Sequence, residues 1–466
     1  MASTKRIAML ISSSAVFMET IDVTILNTAV PAVSENLSVN PLDLKIALIS
    51  YCLSMSLFVP ISCWLADKFG ARRIFIYALF LFTLSSFLCG CSQNLLELTI
   101  SRTLQGIGGA IMLPVGRLII LRIFEKHEII NVVSQIAMFG ALGMMIGPVL
   151  GGIITEHFSW PWIFWVNIPV GIVLIILAIK TLPNLPESET SPLDKLGFIL
   201  FGGGLAGFTA GISVLSEIAI PLYAATAIIL ISLLLLFIYY RHSLTIANPI
   251  IQTKLFKLRS FRISMVGNLT TRLGFGGVPF LLPILLQVGL NYSPEESGLL
   301  LAPWAFGILL AKPFTQKSIE FFGYRRLLLI NTVIVAISVW GFMSINELTS
   351  IYIIGMQTFI YGFVISMQYG AMNSLAYADL TNDDLSPATS IIGTLQQLTM
   401  SVGIAICAIL MRIFSESTAT DLIISMDALS YTFFIMGLII LLSGIIFTKL
   451  EPDDGRPLYS NEKSAF

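Results

Sequence analysis

Long apolar stretches recur along the whole chain, and they restrict its fold more than any other feature of the sequence. A window of about 19 residues selects fourteen of them, at 7–29, 44–66, 74–92, 96–122, 132–155, 162–182, 196–215, 219–240, 262–290, 296–316, 326–345, 349–377, 388–411 and 427–449. Stretches of about 20 apolar residues can cross a bilayer as α-helices, and in lipid only helices or closed barrels satisfy their backbone hydrogen bonds internally. The sequence therefore predicts an all-α integral membrane protein with fourteen transmembrane helices.

The composition leaves no room for a sizeable soluble domain. Of the 466 residues, 56% are hydrophobic and 11% are charged, whereas soluble domains carry about 25% charged residues. No P-loop motif is present, so we do not expect an ATP-driven pump, and the net charge of −1 does not indicate nucleic-acid binding. We expect no enzymatic activity, metal or cofactor. The expected partners are the lipid bilayer and a small-molecule substrate, with a monomer as the working unit.

Positive charges are distributed unevenly between alternate loops. Most of the 26 Lys and Arg residues lie at the amino terminus or in loops on the same side of the spans. Lys45 and Arg412 fall on the opposite side, and Arg102 and Arg272 lie within spans. Because cytoplasmic loops carry the excess of Lys and Arg, both termini are predicted to be cytoplasmic.

The first span has an alternative interpretation as a cleaved signal peptide. Lys5 and Arg6 precede its apolar run, as they would in such a peptide. Glu19 and Asp22 would then lie in or beside the apolar core of the signal, so we favour a transmembrane helix.

An internal repeat divides the chain. The segments LADKFGARR and SIEFFGYRR both follow an even-numbered span, and their shared positions are 253 residues apart. Repeats of this kind are typical of secondary transporters. We therefore predict a six-helix bundle at 1–182, a linker with two additional transmembrane helices at 183–240, a cytoplasmic loop at 241–261, a second six-helix bundle at 262–449 and a cytoplasmic tail at 450–466.

Four ionisable residues are predicted near the middle of the membrane. At 1.5 Å per residue, Glu19 and Asp22 lie roughly 18 and 22 Å from the inner end of their helix. Arg102 lies about 10 Å from the outer face, at the depth of Asp22, and Arg272 lies about 15 Å deep, nearer the depth of Glu19. A charge at that depth costs at least about 2.5–3.5 kcal/mol, so these groups must face a cavity or one another. They could carry protons, or they could form permanent structural ion pairs.

The span at 262–290 contains several glycines and prolines after Arg272, which predicts a helix that breaks. Discontinuous helices of this kind line substrate sites in transporters. Our candidate substrate contacts are Glu19, Asp22, Asn268, Arg272, Gln287, Gln396 and Gln397. Two acids and two arginines sum to zero charge, so the interior does not require a cationic substrate, and amphipathic or zwitterionic compounds remain open.

Five sequence motifs occur in the amino-terminal half of the chain. CWLADKFGARR resembles the loop motif GxLxDxxGxRR, with Cys63 in place of the first Gly. RTLQGIGGA resembles RxxQGxGxA, and GMMIGPVLGG resembles the antiporter motif GxxxGPxxGG. FMETIDVTILNTAVP is similar to LDxTIVNVALP, and WPWIFWVNIPVG to WRWIFLINVPIG. Together the five motifs resemble those of a known family, the fourteen-helix drug:proton antiporters of the major facilitator superfamily.

The resemblance implies a fold and a function. The fold is the major facilitator fold, with two six-helix bundles and two extra transmembrane helices between them. The function is export of small amphipathic compounds, as in multidrug efflux, driven by the proton gradient across the bacterial inner membrane. It also implies that Asp22 is needed for transport and that Arg102 takes part in proton coupling, to which we add Glu19 as an extra acid on nearly the same helix face. The alternatives are a transporter of one metabolite, such as a siderophore, sugar or amino acid, or a channel or sensor.

The resemblance further implies a set of gating residues. The loop after the second span would close the cytoplasmic side, with Asp67 held by Arg72 or Arg73 or by a helix start in the other half. The glycine motif would control how closely helices approach. The predicted gating residues are Asp67, Gly70, Arg72, Arg73, Glu320, Arg325, Arg326, Gly143, Gly147, Pro148, Gly151 and Gly152.

Overall fold

The chain is almost entirely helical. A computed structural model describes residues 2–124, 126–184, 192–215, 221–246, 249–380, 384–417, 422–451 and 454, so most of the linker loop at 185–191 and most of the predicted tail lie outside the described residues. The helices are α1 (Ala2–Asn36), α2 (Lys45–Phe69), α3 (Ala71–Cys91), α4 (Leu95–Ile123), α5 (Lys126–His157), α6 (Trp162–Trp165), α7 (Asn167–Thr181), α8 (Lys195–Val214), α9 (Leu222–Ser243), α10 (Arg259–Phe275), α11 (Val278–Ile284), α12 (Pro294–Trp340), α13 (Ile351–Ala376), α14 (Leu385–Phe414) and α15 (Met426–Phe447). Short turns of 3₁₀ helix lie at Thr253–Lys257 and Gly341–Ser344, a π-helical turn lies at Leu285–Gly289, and β1 (Glu416–Ser417) pairs antiparallel with β2 (Leu422–Ile423).

Thirteen helical segments of the described chain are long and apolar enough to cross a membrane. The longest, Pro294–Ser344, has 51 residues. At 1.5 Å per residue it would extend about 75 Å, more than twice the hydrocarbon thickness of about 30 Å. Non-helical backbone at Gly323 divides it. Counted as two segments it brings the total to the predicted fourteen, and the all-α membrane fold is confirmed.

The two copies of the internal repeat share a backbone turn. Gly70 has φ 88° and Gly323 has φ 70°, and these are the two glycines with positive φ in the described part of the chain. Residues with a Cβ rarely adopt such angles, so glycine is the natural residue at both positions. Their equivalent geometry at the predicted spacing supports the repeat.

The chain divides into two compact units. The first contains residues 1–195 and 286–302, and the second contains 196–285 and 303–466. Within the second unit the additional helices α8 and α9 pack closely, because a Cβ at Gly207 would lie 2.3 Å from the Ser232 hydroxyl. Tyr239 of α9 receives a hydrogen bond from the Ile251 amide at 2.8 Å, which attaches this pair to the segment before α10.

The span predicted to break does so. α10 ends at Phe275 and α11 begins at Val278, with Gly276 and Gly277 between them. A Cβ at Gly277 would lie 2.2 Å from the Cys407 sulfur. The glycines therefore let the break pack directly against α14.

Candidate functional site

The first unit contains a buried ion pair between α1 and α4. Arg102 Nη1 lies 2.6 Å from Asp22 Oδ2, and the two side chains are 1% and 0% exposed. Asp22 and Arg102, which were predicted to lie at the same depth, are therefore in direct contact. Because an isolated charge is expensive in a low-dielectric interior, each member of such a pair stabilises the other.

Two amides complete the surroundings of the Asp22 carboxylate. Gln105 Nε2 donates a hydrogen bond to Asp22 Oδ1 at 2.7 Å, and Asn167 Nδ2 donates to the same oxygen at 3.0 Å. Both amides also donate to the Ser86 hydroxyl, at 2.7 and 3.3 Å. Side chains from α4 and α7 thus donate to one carboxylate on α1 and compensate its negative charge, while Ser86 of α3 accepts from the two amides.

The Arg102 guanidinium is held from other directions as well. Its carbon lies 4.1 Å from the centre of the Tyr51 ring and 5.7 Å from the centre of the Phe164 ring. It also donates to Gln105 Oε1 at 2.6 Å. Aromatic faces attract cations, so Arg102 is compensated by a carboxylate and two rings without contact with water.

Glu19 has a different environment from Asp22, although both are on α1. It is 5% exposed, and the Tyr51 hydroxyl donates to its Oε1 at 3.5 Å, a long hydrogen bond. The network contains two carboxyl groups, those of Asp22 and Glu19, and one guanidinium, that of Arg102, which pairs with Asp22. Burying the second carboxylate in ionised form would be costly, so Glu19 is the member of the network best suited to hold a proton.

The glycine motif of α5 packs against α1 on the side of Thr20 and Thr24. A Cβ at Gly143 would lie 2.1 Å from the Thr20 hydroxyl, and one at Gly147 would lie 1.9 Å from the Thr24 hydroxyl. A Cβ at Gly151 would lie 2.6 Å from the Ile25 carbonyl oxygen. The motif therefore brings α5 into close contact with the helix that carries both acids.

The last part of the motif packs against the start of α12, which belongs to the same unit. A Cβ at Gly152 would lie 2.3 Å from the Pro294 carbonyl oxygen, and one at Gly298 would lie 2.5 Å from the Pro148 carbonyl oxygen. His157 Nε2 lies 2.8 Å from Glu295 Oε2 at the same end of α5. Small residues on both helices permit this close approach.

Replacing Gly147 with Ala should destabilise the first unit by about 1–3 kcal/mol, the usual cost of overpacking. The added methyl group would collide with the Thr24 hydroxyl, which hydrogen-bonds to the Thr20 carbonyl of its own helix at 2.8 Å. Thermal unfolding of the detergent-solubilised protein would measure the loss. Combining Gly147→Ala with Thr24→Ala should recover part of it, and Thr24→Ala alone is the matched control. Equal melting temperatures for the native protein and Gly147→Ala would contradict close packing.

The predicted loop latch has an unexpected partner. Asp67 Oδ1 lies 2.5 Å from Arg122 Nη2 at the end of α4, with both side chains about one-quarter to one-third exposed. Arg72 instead donates to Asn184 Oδ1 at 2.5 Å and to the Ile179 carbonyl oxygen. Sequence reasoning assigned Arg72 or Arg73 to Asp67 and did not consider Arg122, which is distant in sequence. The loop is therefore tied to both α4 and α7 of its own unit.

A second polar cluster surrounds Arg272 in the second unit. Its Nε donates to Asn268 Oδ1, and its guanidinium carbon lies 3.9 Å from the centre of the Tyr369 ring. Asn268 Nδ2 and Gln396 Nε2 both donate to Asn373 Oδ1, each at 3.1 Å. Three of the predicted substrate contacts are thus brought together by Tyr369 and Asn373 of α13.

The remaining predicted residues lie in separate places. Gln287 Nε2 donates to the Thr28 carbonyl oxygen at 2.8 Å, within the first unit. Gln397 is half-buried on α14. Glu320 accepts from Gln316 Nε2 at 3.2 Å, Arg325 is half-buried and Arg326 is exposed. Neither Gln287 nor Gln397 hydrogen-bonds to the Arg272 cluster in the described part of the chain.

Sequence reasoning missed several residues of both clusters. Gln105 and Asn167 lie within motifs that were recognised, and Gln105 follows Arg102 by three residues, on the same helix face. That spacing could have selected it. Tyr51, Ser86, Tyr369 and Asn373 carried no such signal, because nothing in the sequence shows which helices meet.

A helical membrane protein with an internal repeat, a broken helix and a buried ion pair is a secondary transporter in architecture. The family model described as Major Facilitator Superfamily matches residues 13–404 and 264–465. The chain therefore belongs to the major facilitator superfamily.

Similar proteins agree with this assignment. The chain is 34% identical over 438 residues to the "Putative multidrug resistance protein MdtD" of Escherichia coli O157:H7, covering 94% of this chain and 93% of that protein. The protein of the same name from Shigella flexneri serotype 5b is also 34% identical over 438 residues, with the same coverage. The identity extends over nearly the full length of both chains.

Solved structures share the fold. The xylose transporter XylE from E. coli, in a partially occluded inward open conformation, has a TM-score of 0.63 at 13% identity, covering 97% of this chain and 98% of that one. The nucleoside transporter NupG has a TM-score of 0.61 at 11% identity, covering 96% and 100%. The human organic anion transporter MFSD10 has a TM-score of 0.62 at 13% identity, covering 95% and 99%.

Proposed function

We propose that this chain is a proton-coupled antiporter that exports small amphipathic compounds from the cytoplasm by alternating access. The observation that carries the proposal is the buried Asp22–Arg102 ion pair with Glu19 as a second acid beside it. Intramembrane ionisable groups are expensive, and transporters use them as proton relays. The full-length similarity to a protein named for multidrug resistance supports the same conclusion.

The two carboxyl groups would have different roles. Asp22 would remain the charged partner of Arg102, because Arg102, Gln105 and Asn167 all donate to it. Glu19, whose hydrogen bond within the described residues is the long one from Tyr51, would bind and release the proton as water reaches it from alternate sides. Coupling requires only that the proton and the substrate prefer different conformations.

The gating residues would control how closely the helices approach one another during the transport cycle. Asp67 and Arg122 would hold the loop between α2 and α3 to the end of α4, together with Gly70, Arg72 and Arg73. Glu320, Arg325 and Arg326 would form the weaker counterpart in the second repeat. Gly143, Gly147, Pro148, Gly151 and Gly152 would set how tightly α5 closes on α1 and α12.

Asn268, Arg272 and Gln396 would contact the substrate in the second unit, since they form one cluster with Asn373. Glu19, Asp22 and Gln287 of the first unit and Gln397 of the second unit are the other proposed substrate contacts. We propose a monomer in the bacterial inner membrane, with both termini in the cytoplasm. The energy would come from the proton gradient, without a cofactor or an enzymatic step.

Proton movement in proteoliposomes tests the proposal. The purified protein would be reconstituted with a pH-sensitive dye inside the vesicles, under an imposed pH gradient. Cationic, zwitterionic and anionic lipophilic compounds would be added in turn. We expect at least one compound to dissipate the gradient at a saturable rate in the native protein and not in Asp22→Asn. Saturable compound flux that is unchanged when the gradient is collapsed would instead indicate facilitated transport of a metabolite.

A further inference from the structure

A cavity of about 550 Å³ lies within the second unit, between α12 and α13. This volume suits a small organic molecule. Lys312, Gln316 and Glu320 line it from α12, and Ser366, Tyr369 and Asn373 line it from α13. Tyr369 and Asn373 are the same residues that contact Arg272, Asn268 and Gln396. The cavity therefore opens beside the polar cluster already described.

The walls of the cavity are fixed by hydrogen bonds. Ser366 donates to the Ile308 carbonyl oxygen at 3.1 Å, which joins α13 to α12. At the end near Gly323, the Tyr324 hydroxyl lies 2.7 Å from the Ser374 hydroxyl. The Tyr369 ring also packs edge-on against Phe275, with 4.7 Å between ring centres. Rigid walls of this kind preserve the spacing of the polar groups they carry.

Lys312 carries a positive charge within the predicted span at 296–316, four positions before its end, or roughly 6 Å of helix. It is an exposed residue that lines the cavity. In the part of the chain that the structure describes, no carboxylate forms an ion pair with it. An ionisable residue of a membrane span that lines a cavity is a functional-site candidate.

The acid in the same cavity does not neutralise this lysine by contact. Glu320 lies eight positions further along α12, roughly 12 Å along the axis, and accepts a hydrogen bond from Gln316 instead. Arg272 adds a second cation behind the Tyr369 ring. The cavity lining thus carries one lysine, several hydroxyl and amide groups and the Glu320 carboxylate, with Arg272 outside the lining against the Tyr369 ring.

We infer that this cavity binds an anionic group of the substrate, and that the transported compounds are amphipathic anions or zwitterions. Lys312 contacts the anionic group, while the Asn373 amide donates a further hydrogen bond and the Tyr369 ring packs on the apolar part. Recognition of a carboxylate by a lysine ammonium and neutral donors is charge-assisted and strong. The inference rests on the proposed export function, because it names the class of compound exported.

Two dyes with the same ring system and opposite charge provide the test. Fluorescein is a xanthene anion, and tetramethylrhodamine methyl ester is a xanthene cation. Fluorescence anisotropy would measure the binding of each to the detergent-solubilised native protein and to Lys312→Gln. Lys317→Gln is the matched control, because Lys317 is an exposed lysine of the same helix that does not line the cavity. Lys312→Arg retains the charge and guards against misfolding of the neutral variant.

We expect fluorescein to bind the native protein more tightly than the cationic dye. Loss of one charge-assisted contact should weaken fluorescein binding about tenfold in Lys312→Gln, with little change in Lys317→Gln and recovery in Lys312→Arg. Equal or tighter binding of the cation, or an unchanged fluorescein affinity in Lys312→Gln, would overturn the inference. The dye-binding measurement needs no proton gradient, so it tests the anion site separately from transport. Absence of proton-driven flux in proteoliposomes would contradict the export function and would leave the binding result unaffected.

Discussion

The Glu19→Gln variant is expected to exchange substrate across the membrane but to lose its ability to accumulate substrate against a gradient. Glutamine has nearly the size of glutamate and can still accept a hydrogen bond from Tyr51, so the packing around it should survive. It cannot bind and release a proton. Coupling should therefore be lost while the conformational cycle continues.

Two transport measurements separate these effects. For one proton per substrate, each pH unit of gradient supports about tenfold accumulation in the native protein, and we expect none in Glu19→Gln. Counterflow, in which labelled substrate exchanges with unlabelled substrate at equal pH, should remain near the native rate. Both would be measured in the same proteoliposomes.

Glu35→Gln is the matched control for this variant. Glu35 lies on the same helix and is exposed, so the same chemical change there should leave accumulation and counterflow intact. Native accumulation by Glu19→Gln would assign the proton to another group. Loss of counterflow as well would show that the Glu19 carboxylate is required for the conformational cycle or for substrate binding, and that glutamine does not replace it there.

The Arg102→Met variant is expected to show the largest loss of stability. Methionine leaves the buried Asp22 without its cationic partner, and removing one member of a buried ion pair typically costs about 3–5 kcal/mol. The ring contacts with Tyr51 and Phe164 would be lost at the same time. Thermal unfolding in detergent, followed by tryptophan fluorescence and by size-exclusion chromatography, would measure the change.

The double variant Asp22→Asn with Arg102→Met isolates the charge effect. An asparagine at this position is neutral and can still accept from Gln105 and Asn167, so we expect it to recover most of the lost stability without restoring transport. Arg117→Met is the control, since Arg117 is an exposed arginine on the same helix. If Arg102→Met and Arg117→Met have the same melting temperature, the ion pair is not the source of the stability. The same conclusion follows if the double variant is no more stable than Arg102→Met.

The membrane class, the number of spans and the internal repeat could all be predicted from the sequence. Apolar length determines what can cross lipid, because unsatisfied backbone groups are too costly there. The repeat was visible because Gly70 and Gly323 carry the same positive-φ turn, a conformation that few other residues tolerate. These are local properties of a segment.

The depth of Asp22 and Arg102 was also predictable, because helical rise converts sequence position into depth. Their contact was not, since several helices present side chains at the same depth. Only the packing of α1 against α4 brings them to 2.6 Å and adds Gln105 and Asn167 to the same carboxylate. The difference between Asp22 and Glu19, three residues apart on one helix, likewise arises from the neighbouring helices.

The partner of Asp67 likewise could not be predicted from the sequence. Sequence proximity favoured Arg72 and Arg73, yet the carboxylate pairs with Arg122. Lys312 became a candidate only because α12 and α13 together line a cavity. The sequence by itself determined that this protein is a membrane-spanning, two-repeat helical chain with charges held near the midplane. The tertiary structure decided which charges meet, because side-chain contacts depend on the rotation and approach of helices that are far apart in sequence.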